Sequence, residues 1–158
     1  MSGLVHAIMR STRQGAQMEI LSKAAVTRRG LDQDRYLTGS GHWSDWTDRT
    51  GMALTLIELE ILDEIGLDAT QTRRNIVTKG IRLESLIGKQ FRIGNVHCIG
   101  IRPCLPCRYL EEQVRSNLRA DLRGMRGGLR ADVIRGGEIE VRDRIWKVNH
   151  EVLLASED

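Results

Sequence analysis

The chain has 158 residues, 41% of them hydrophobic and 28% charged, which fits one folded, soluble domain and excludes a disordered or collagen-like chain. A net charge of +3 is too small by itself to argue for a nucleic-acid partner, and no apolar run is long enough to span a bilayer. Three cysteines without a secretory leader point to a reducing compartment, so the cytoplasm is the expected location.

In chain order, Leu4 to Arg10 and Gln17 to Val26 read as two strands joined by a turn, and Gly30 to Arg35 closes the pair. The loop from Thr38 to Gly51 is polar and glycine-rich yet carries Trp43 and Trp46, as in a loop that packs over something. Thr55 to Gly66 has the strongest helical pattern. Thr55 with Glu58 matches a capping box, Leu56, Leu59, Leu62 and Ile65 make one apolar face, and Gly66 is the stop. Phe91 to Ile93 is a strand that turns at Gly94-Asn95 into an extended run from Val96 to Ile101. From Leu110 to Leu122 apolar residues recur every fourth position, which predicts one helix starting at or just after Cys107. Gly124 to Gly128 is a glycine-rich loop, and Gly136-Gly137 between Leu129–Arg135 and Glu138–Arg142 carries a two-residue hairpin signal. Ile145 to Val148 and Glu151 to Leu154 finish the chain. Roughly eight short strands and two helices predict a single domain over residues 1–158. Its class is β-rich α+β, a mostly antiparallel, closed or nearly closed β-barrel with a few helices.

The chemistry concentrates in Arg102-Pro103-Cys104-Leu105-Pro106-Cys107-Arg108-Tyr109, which holds two of the three cysteines and both prolines. A thiol at a helix start beside Arg102 and Arg108 sits in a positive field that favours the thiolate. The C-x-x-C also permits a dithiol redox pair, a structural pair, or a zinc site that draws in His97 and Cys98. Against zinc, adjacent strand residues such as His97 and Cys98 face opposite sides, and Cys98 alternates with Val96 as a core residue. Arg73-Arg74-Asn75 could grip a phosphate or polar heterocycle, or be a solvated helix end. Asp34-Arg35-Tyr36 reads as an anion site or a turn ion pair. Arg115, Arg119 and Arg123, four apart, form either a solvated helix face or a docking surface for a protein or anion. The basic residues are 20 Arg against 4 Lys, which suits oxyanion binding but also follows from codon bias.

Taken together, five segments resemble the MOSC domain family over essentially the whole chain, Leu4 to Leu154. They are Gly30-Leu31-Asp32-Gln33-Asp34-Arg35-Tyr36, Arg73-Arg74-Asn75-Ile76-Val77, Leu86 to Gly94, Pro106-Cys107, and Gly128 to Gly137. The resemblance implies a β-barrel with a few helices that binds the molybdenum cofactor (molybdopterin), a pterin phosphate carrying molybdenum through a dithiolene. It puts the key cysteine at Cys107, with Cys104 as second choice, either as a sulfur carrier or as a molybdenum ligand. Arg73, Arg74 and Asn75 match the pterin-side segment, and Asp34, Arg35 and Arg102 complete the expected cofactor-binding set. The implied partners are a cysteine desulfurase, a molybdoenzyme or an electron-donor protein, with no nucleic acid and no membrane. No pyridoxal phosphate is expected on this chain; it would belong to the desulfurase. Reduction of N-hydroxylated compounds, such as hydroxylaminopurine, is the enzyme activity implied. A non-catalytic cofactor or anion adaptor, and a dithiol oxidoreductase, are the alternatives. Two departures stand out. Gln33 replaces the family's glycine before the Asp-Arg pair, and Arg142 replaces the glycine before Asp143; either change is expected to alter its turn.

Overall fold

The computed structural model describes residues 2–12, 16–34, 50–106 and 108–149. Its strands, in chain order, are β1 (Ser2–Arg10), β2 (Glu19–Leu21), β3 (Lys23–Thr27), β4 (Gly30–Leu31), β5 (Leu54–Glu58), β6 (Ile76–Lys79), β7 (Gln90–Ile93), β8 (Val96–Pro103), β9 (Leu129–Arg135), β10 (Gly137–Glu140) and β11 (Arg144–Lys147). The α-helices are α1 (Leu59–Ile65), α2 (Arg108–Val114) and α3 (Leu118–Asp121). Seven strands close into a barrel in the order β11-β7-β8-β9-β5-β6-β1, with β1 returning to β11. All neighbours are antiparallel except β5 and β6, which are parallel. β2 extends the sheet from β1, and β10, β3 and β4 form a second, three-stranded sheet.

Two apolar clusters follow from strand alternation. Val5, Ile8, Leu54, Leu56, Ile76, Phe91, Ile93, Val96, Cys98, Leu129 and Ile145 fill the barrel, and Ala24, Val26, Leu31 and Ile139 of the second sheet join them. Met9, Ile57 and Val77 point outward from β1, β5 and β6 and meet Leu62, Leu110, Leu118 and Leu122 of the helical layer. A register shift between Val5 and Ala7 lets β1 send Val5 and Ile8 inward despite their odd spacing.

Several sequence expectations change. Thr55 to Glu58 is strand rather than helix, because every residue of β5 is buried, between the barrel core and the helical layer. Thr55 is therefore no cap; helix α1 begins four residues later, after Glu58, whose carboxylate instead accepts the Leu83 N–H at 3.3 Å. A parallel β5–β6 pair needs a crossover, and α1 supplies it. Gly66 does end the helix, at φ +67 with its N–H on the Leu62 carbonyl. The capping box lies instead at Asp68 and Gln71, on the 3-10 turn Ala69–Thr72. The Gln17 to Val26 segment divides at Ser22, so that β2 pairs with β1 while β3 leaves for the second sheet.

Gly136-Gly137 is not a hairpin, since β9 pairs with β5 and β8 while β10 pairs with β3. Gly136 instead serves close approach: a Cβ there would lie 2.3 Å from the Val26 carbonyl. The Leu110–Leu122 helix is broken at Asn117, which adopts φ +66, although Leu110, Val114, Leu118 and Leu122 still face one cluster. Strands number eleven among the described residues, not eight, because the second sheet is cut from segments read as continuous. Trp43, Trp46 and Glu151–Leu154 lie outside the described residues.

Candidate functional site

Arg73, Arg74 and Asn75 enter β6 from the turn Ala69–Thr72, and their side chains go three ways. Asn75, 1% exposed, ties three strands. Its Oδ1 accepts the Thr55 N–H (3.2 Å) and hydroxyl (3.3 Å), and its Nδ2 donates to the Met9 carbonyl (3.4 Å). Arg74, 7% exposed, donates to the carbonyls of Gly127 (3.0 Å), Thr72 (3.2 Å) and Cys104 (3.2 Å). A buried cation with carbonyl partners in place of a carboxylate keeps its full charge behind the cysteine loop.

Arg73 differs from both. It holds φ +61, a left-handed backbone that costs a non-glycine residue about 1 kcal/mol or more. Its Nη1 donates to the Ala16 carbonyl, which also accepts the Ser11 hydroxyl at 3.1 Å. The Ser11 N–H in turn donates to Oδ1 of buried Asp34 at 3.2 Å. Asp34, Ser11, Ala16 and Arg73 are thus one connected group, although 39 positions separate its two charged members in sequence.

Beside this group opens a cavity of about 190 Å3, lined by Arg73, Gln17, Thr70, Gln71, Tyr109 and Gln113, with Met18 and Val114 as its apolar wall. Gln71 uses its Oε1 to accept the Asp68 N–H (3.0 Å), which leaves its NH2 for the cavity. The three glutamines carried no motif in the sequence; they are scattered neutral side chains that only folding brings together. Tyr109 belonged to the cysteine stretch and was the one available signal.

Helix α2 begins at Arg108, directly after Cys107, as the periodicity predicts. Cys107 and Arg35 lie outside the described residues. Cys104 is fully buried; its N–H donates to the Gly128 carbonyl at 2.8 Å and its carbonyl accepts Arg74. Gly127 permits this packing, since a Cβ there would lie 2.3 Å from the Cys104 carbonyl oxygen. Arg108 turns to solvent and pairs with Glu112 at 3.1 Å. Arg102 turns to the Thr50 carbonyl (2.6 Å) and Met52 Sδ (3.8 Å), away from the Arg73 group.

Cys98 faces the barrel core, where burial, reinforced by the Asp132 carboxylate, pushes its thiol up to about 12. His97, on the opposite face, is half-buried with no hydrogen-bond partner for Nε2. Burial, then the Arg92 and Arg135 cations, hold its imidazole below the usual range. Arg115 and Arg119 are spoken for by Asp121 (2.8 Å) and Glu111 (3.2 Å), and the break at Asn117 takes the arginine series off a single helix face.

Among the described residues no three His, Cys, Asp or Glu side chains group to hold a bare metal ion. A metal carried within an organic cofactor needs fewer protein ligands, and a cavity of amides, one threonine hydroxyl, one phenol and one guanidinium suits a polar heterocycle bearing a phosphate. No helix of the described residues is long and apolar enough to cross a membrane.

No curated protein matches the sequence. Among solved structures, the chain is similar to the YuaD protein from Bacillus subtilis, at 16% identity and a TM-score of 0.71, covering 92% of this chain and 94% of that one. YiiM from Escherichia coli is similar at 18% identity and a TM-score of 0.63, over 95% of this chain and 71% of that one. YiiM from Geobacillus stearothermophilus matches at 14% identity and a TM-score of 0.63, over 95% and 75%. At these identities the likeness concerns the fold. The family model of the MOSC domain matches residues 24–146, well over half of the chain, and with the barrel just described it establishes that this chain belongs to the MOSC domain family, a family associated with the molybdenum cofactor.

Proposed function

We propose that this chain binds the molybdenum cofactor in the cavity beside Arg73, with Cys107 as its reactive or metal-ligating thiol. The observation that carries the reading is Arg73 itself. Its left-handed backbone turns it from its buried neighbours Arg74 and Asn75 into a cavity whose other polar members are amides, a threonine hydroxyl and a phenol. Arg73 would neutralise an anionic group of the ligand, and Gln17, Gln71 and Gln113 would hydrogen-bond the edges of a pterin. Asp34, through its bond from the Ser11 N–H, would hold the adjoining loop, and Arg35 would supply a cation to a phosphate there. When bound, the cofactor supplies a molybdenum centre for two-electron redox chemistry or for carrying a terminal sulfur.

Two activities fit this site. As a sulfur carrier, the Cys107 thiolate attacks the outer sulfur of a persulfide on a cysteine desulfurase; it gains that sulfur and the donor leaves as a thiolate. As a reductase of N-hydroxylated compounds, Cys107 would hold the metal while an electron-donor protein supplies two electrons and solvent two protons, the N–O bond breaking to leave N–H and water.

Cofactor retention is the test. Purified wild type, Cys107→Ala and Arg73→Ala are incubated with free cofactor and desalted, and the bound pterin is oxidised and read by fluorescence. Retention by the wild type with loss in both variants is expected. No retention by folded wild type overturns the reading.

A further inference from the structure

The outer faces of β8 and β9 bring two guanidiniums onto one atom. Arg102 and Arg130 are direct cross-strand partners. Arg102 Nη2 at 3.8 Å and Arg130 Nη1 at 3.7 Å both reach the Sδ of Met52. Like charges directly opposite each other in a sheet repel, so the pairing is unfavourable unless something negative lies between them. Among the described residues nothing does. Arg102 makes one further bond, from Nη1 to the Thr50 carbonyl, Arg130 makes none, and neither has a carboxylate partner. The nearby Asp132 carboxylate accepts the Gly51 N–H at 2.6 Å and, among the described residues, makes no ion pair with either arginine.

A thioether is a weak acceptor and cannot use what two planar, five-donor forks offer. Both arginines are half-buried, where an unpartnered charge is more costly than at an open surface. The backbone is built around this arrangement: a Cβ on Gly51 would lie 2.7 Å from Arg102 Nη1. Met52 is buried at 5% exposure, so an anion enters only as this unbranched, flexible thioether shifts from between the two forks.

We infer that Arg102 and Arg130 form an oxyanion site for a phosphate- or sulfate-sized dianion, in which the Met52 sulfur occupies the anion's place until it binds. The site is separate from the Arg73 cavity, in which neither arginine takes part. The anion removes the repulsion between the two forks and accepts a bidentate pair from each side. Its source is either a free inorganic ion or the phosphate group of a monoester.

Titration calorimetry of the full chain at low ionic strength tests this, with inorganic phosphate, sulfate and phenyl phosphate as probes. Wild type should bind one equivalent saturably, and Arg130→Gln should weaken binding roughly tenfold or more, the scale of losing a charge-assisted hydrogen bond. Met52→Leu, which removes the competing sulfur, should bind as tightly as wild type or tighter. Arg92→Gln, an arginine elsewhere on the barrel, should bind as wild type does. Tighter binding of phenyl phosphate than of phosphate assigns the site to an ester, and equal binding assigns it to the free ion. Absence of saturable binding by folded wild type, or unchanged binding by Arg130→Gln, overturns the inference. No cofactor enters the assay, so this result and cofactor retention can fail independently.

Discussion

The Arg74 guanidinium reaches across 30 positions of sequence to the Cys104 carbonyl, 3.2 Å from Nη2, and so fixes the base of the cysteine loop to the start of β6. Bonds to Gly127 and Thr72 complete a three-way staple. Charged hydrogen bonds of this kind contribute about 1.5–3 kcal/mol each, offset by the desolvation of the cation. Arg74→Met is therefore expected to destabilise the fold by about 3 kcal/mol, read from urea denaturation. Arg74→Lys should recover only part of the loss, since one ammonium cannot span three carbonyls. A loss under about 1 kcal/mol would mean that the staple is idle.

Thiol reactivity should divide sharply. Cys98 and Cys104 are fully buried, and the Cys98 thiol, pushed to about 12, stays protonated at pH 8. Iodoacetamide at pH 8 should then spare both in the folded protein and modify all three cysteines in denaturant. Peptide mass spectrometry reads the outcome; an early adduct on Cys98 would contradict the packing described.

Gln33 and Arg142 stand where the family has glycine, and both hold left-handed backbones, at φ +60 and +80. Both turns thus hold a conformation that glycine favours, with L side chains under strain. Gln33→Gly and Arg142→Gly should each stabilise by about 0.5–1 kcal/mol, the steric relief exceeding glycine's entropic cost. Denaturation midpoints check this, and alanine at either site should give no comparable gain.

Glu58 and His97 give opposite pH signatures. Burial of the Glu58 carboxylate, outweighing its bond from Leu83 and the Arg82 cation, raises its pKa above the ordinary 4.5. The folded state then protonates first, so the penalty on the charged form is present at neutral pH and is relieved as pH falls through the raised value toward 4.5. Glu58→Gln should raise the melting temperature at pH 7, and the gain should vanish in acid.

His97 runs the other way. Its pKa is depressed by burial and by Arg92 and Arg135, so the unfolded chain takes the proton first and stability falls as pH drops below 6.5. His97→Gln should flatten that fall between pH 6.5 and 5. An unchanged profile would show that His97 titrates alike in both states.

The barrel was legible where alternation and turn chemistry are local. Phe91–Ile93, the Gly94-Asn95 turn and the Val96 run stand where their pattern puts them. Cys98 points to the core, as parity along β8 requires. Errors arose where tertiary contact outweighed a local signal. Leu54–Ile57 has apolar residues at every second and third position, a pattern shared by a helix and by a strand buried on both faces, and only the neighbours of β5 decide between them. Gly136-Gly137 has hairpin composition, but its need is room beside Val26, which lies 110 positions earlier. For the candidate site, the motifs located Arg73 and Asp34. They could not separate Arg73 from Arg74, because identical side chains one residue apart differ here only in backbone angle and burial.

The barrel closes through β1 and β11, where Ser2 lies opposite Trp146. During synthesis, β1 leaves the ribosome long before its partner exists. At about 5–20 residues per second, the 144 positions between those two residues take on the order of ten seconds to translate. Throughout that interval β1 lacks the strand meant to join it to β7, and from residue 93 onward β7 lacks it too, so that Ile8, Phe91 and Ile93 have no finished interior to enter. Among the described strands the last to be made, β11, is the one that seals the core, so the barrel closes only once residue 147 is free.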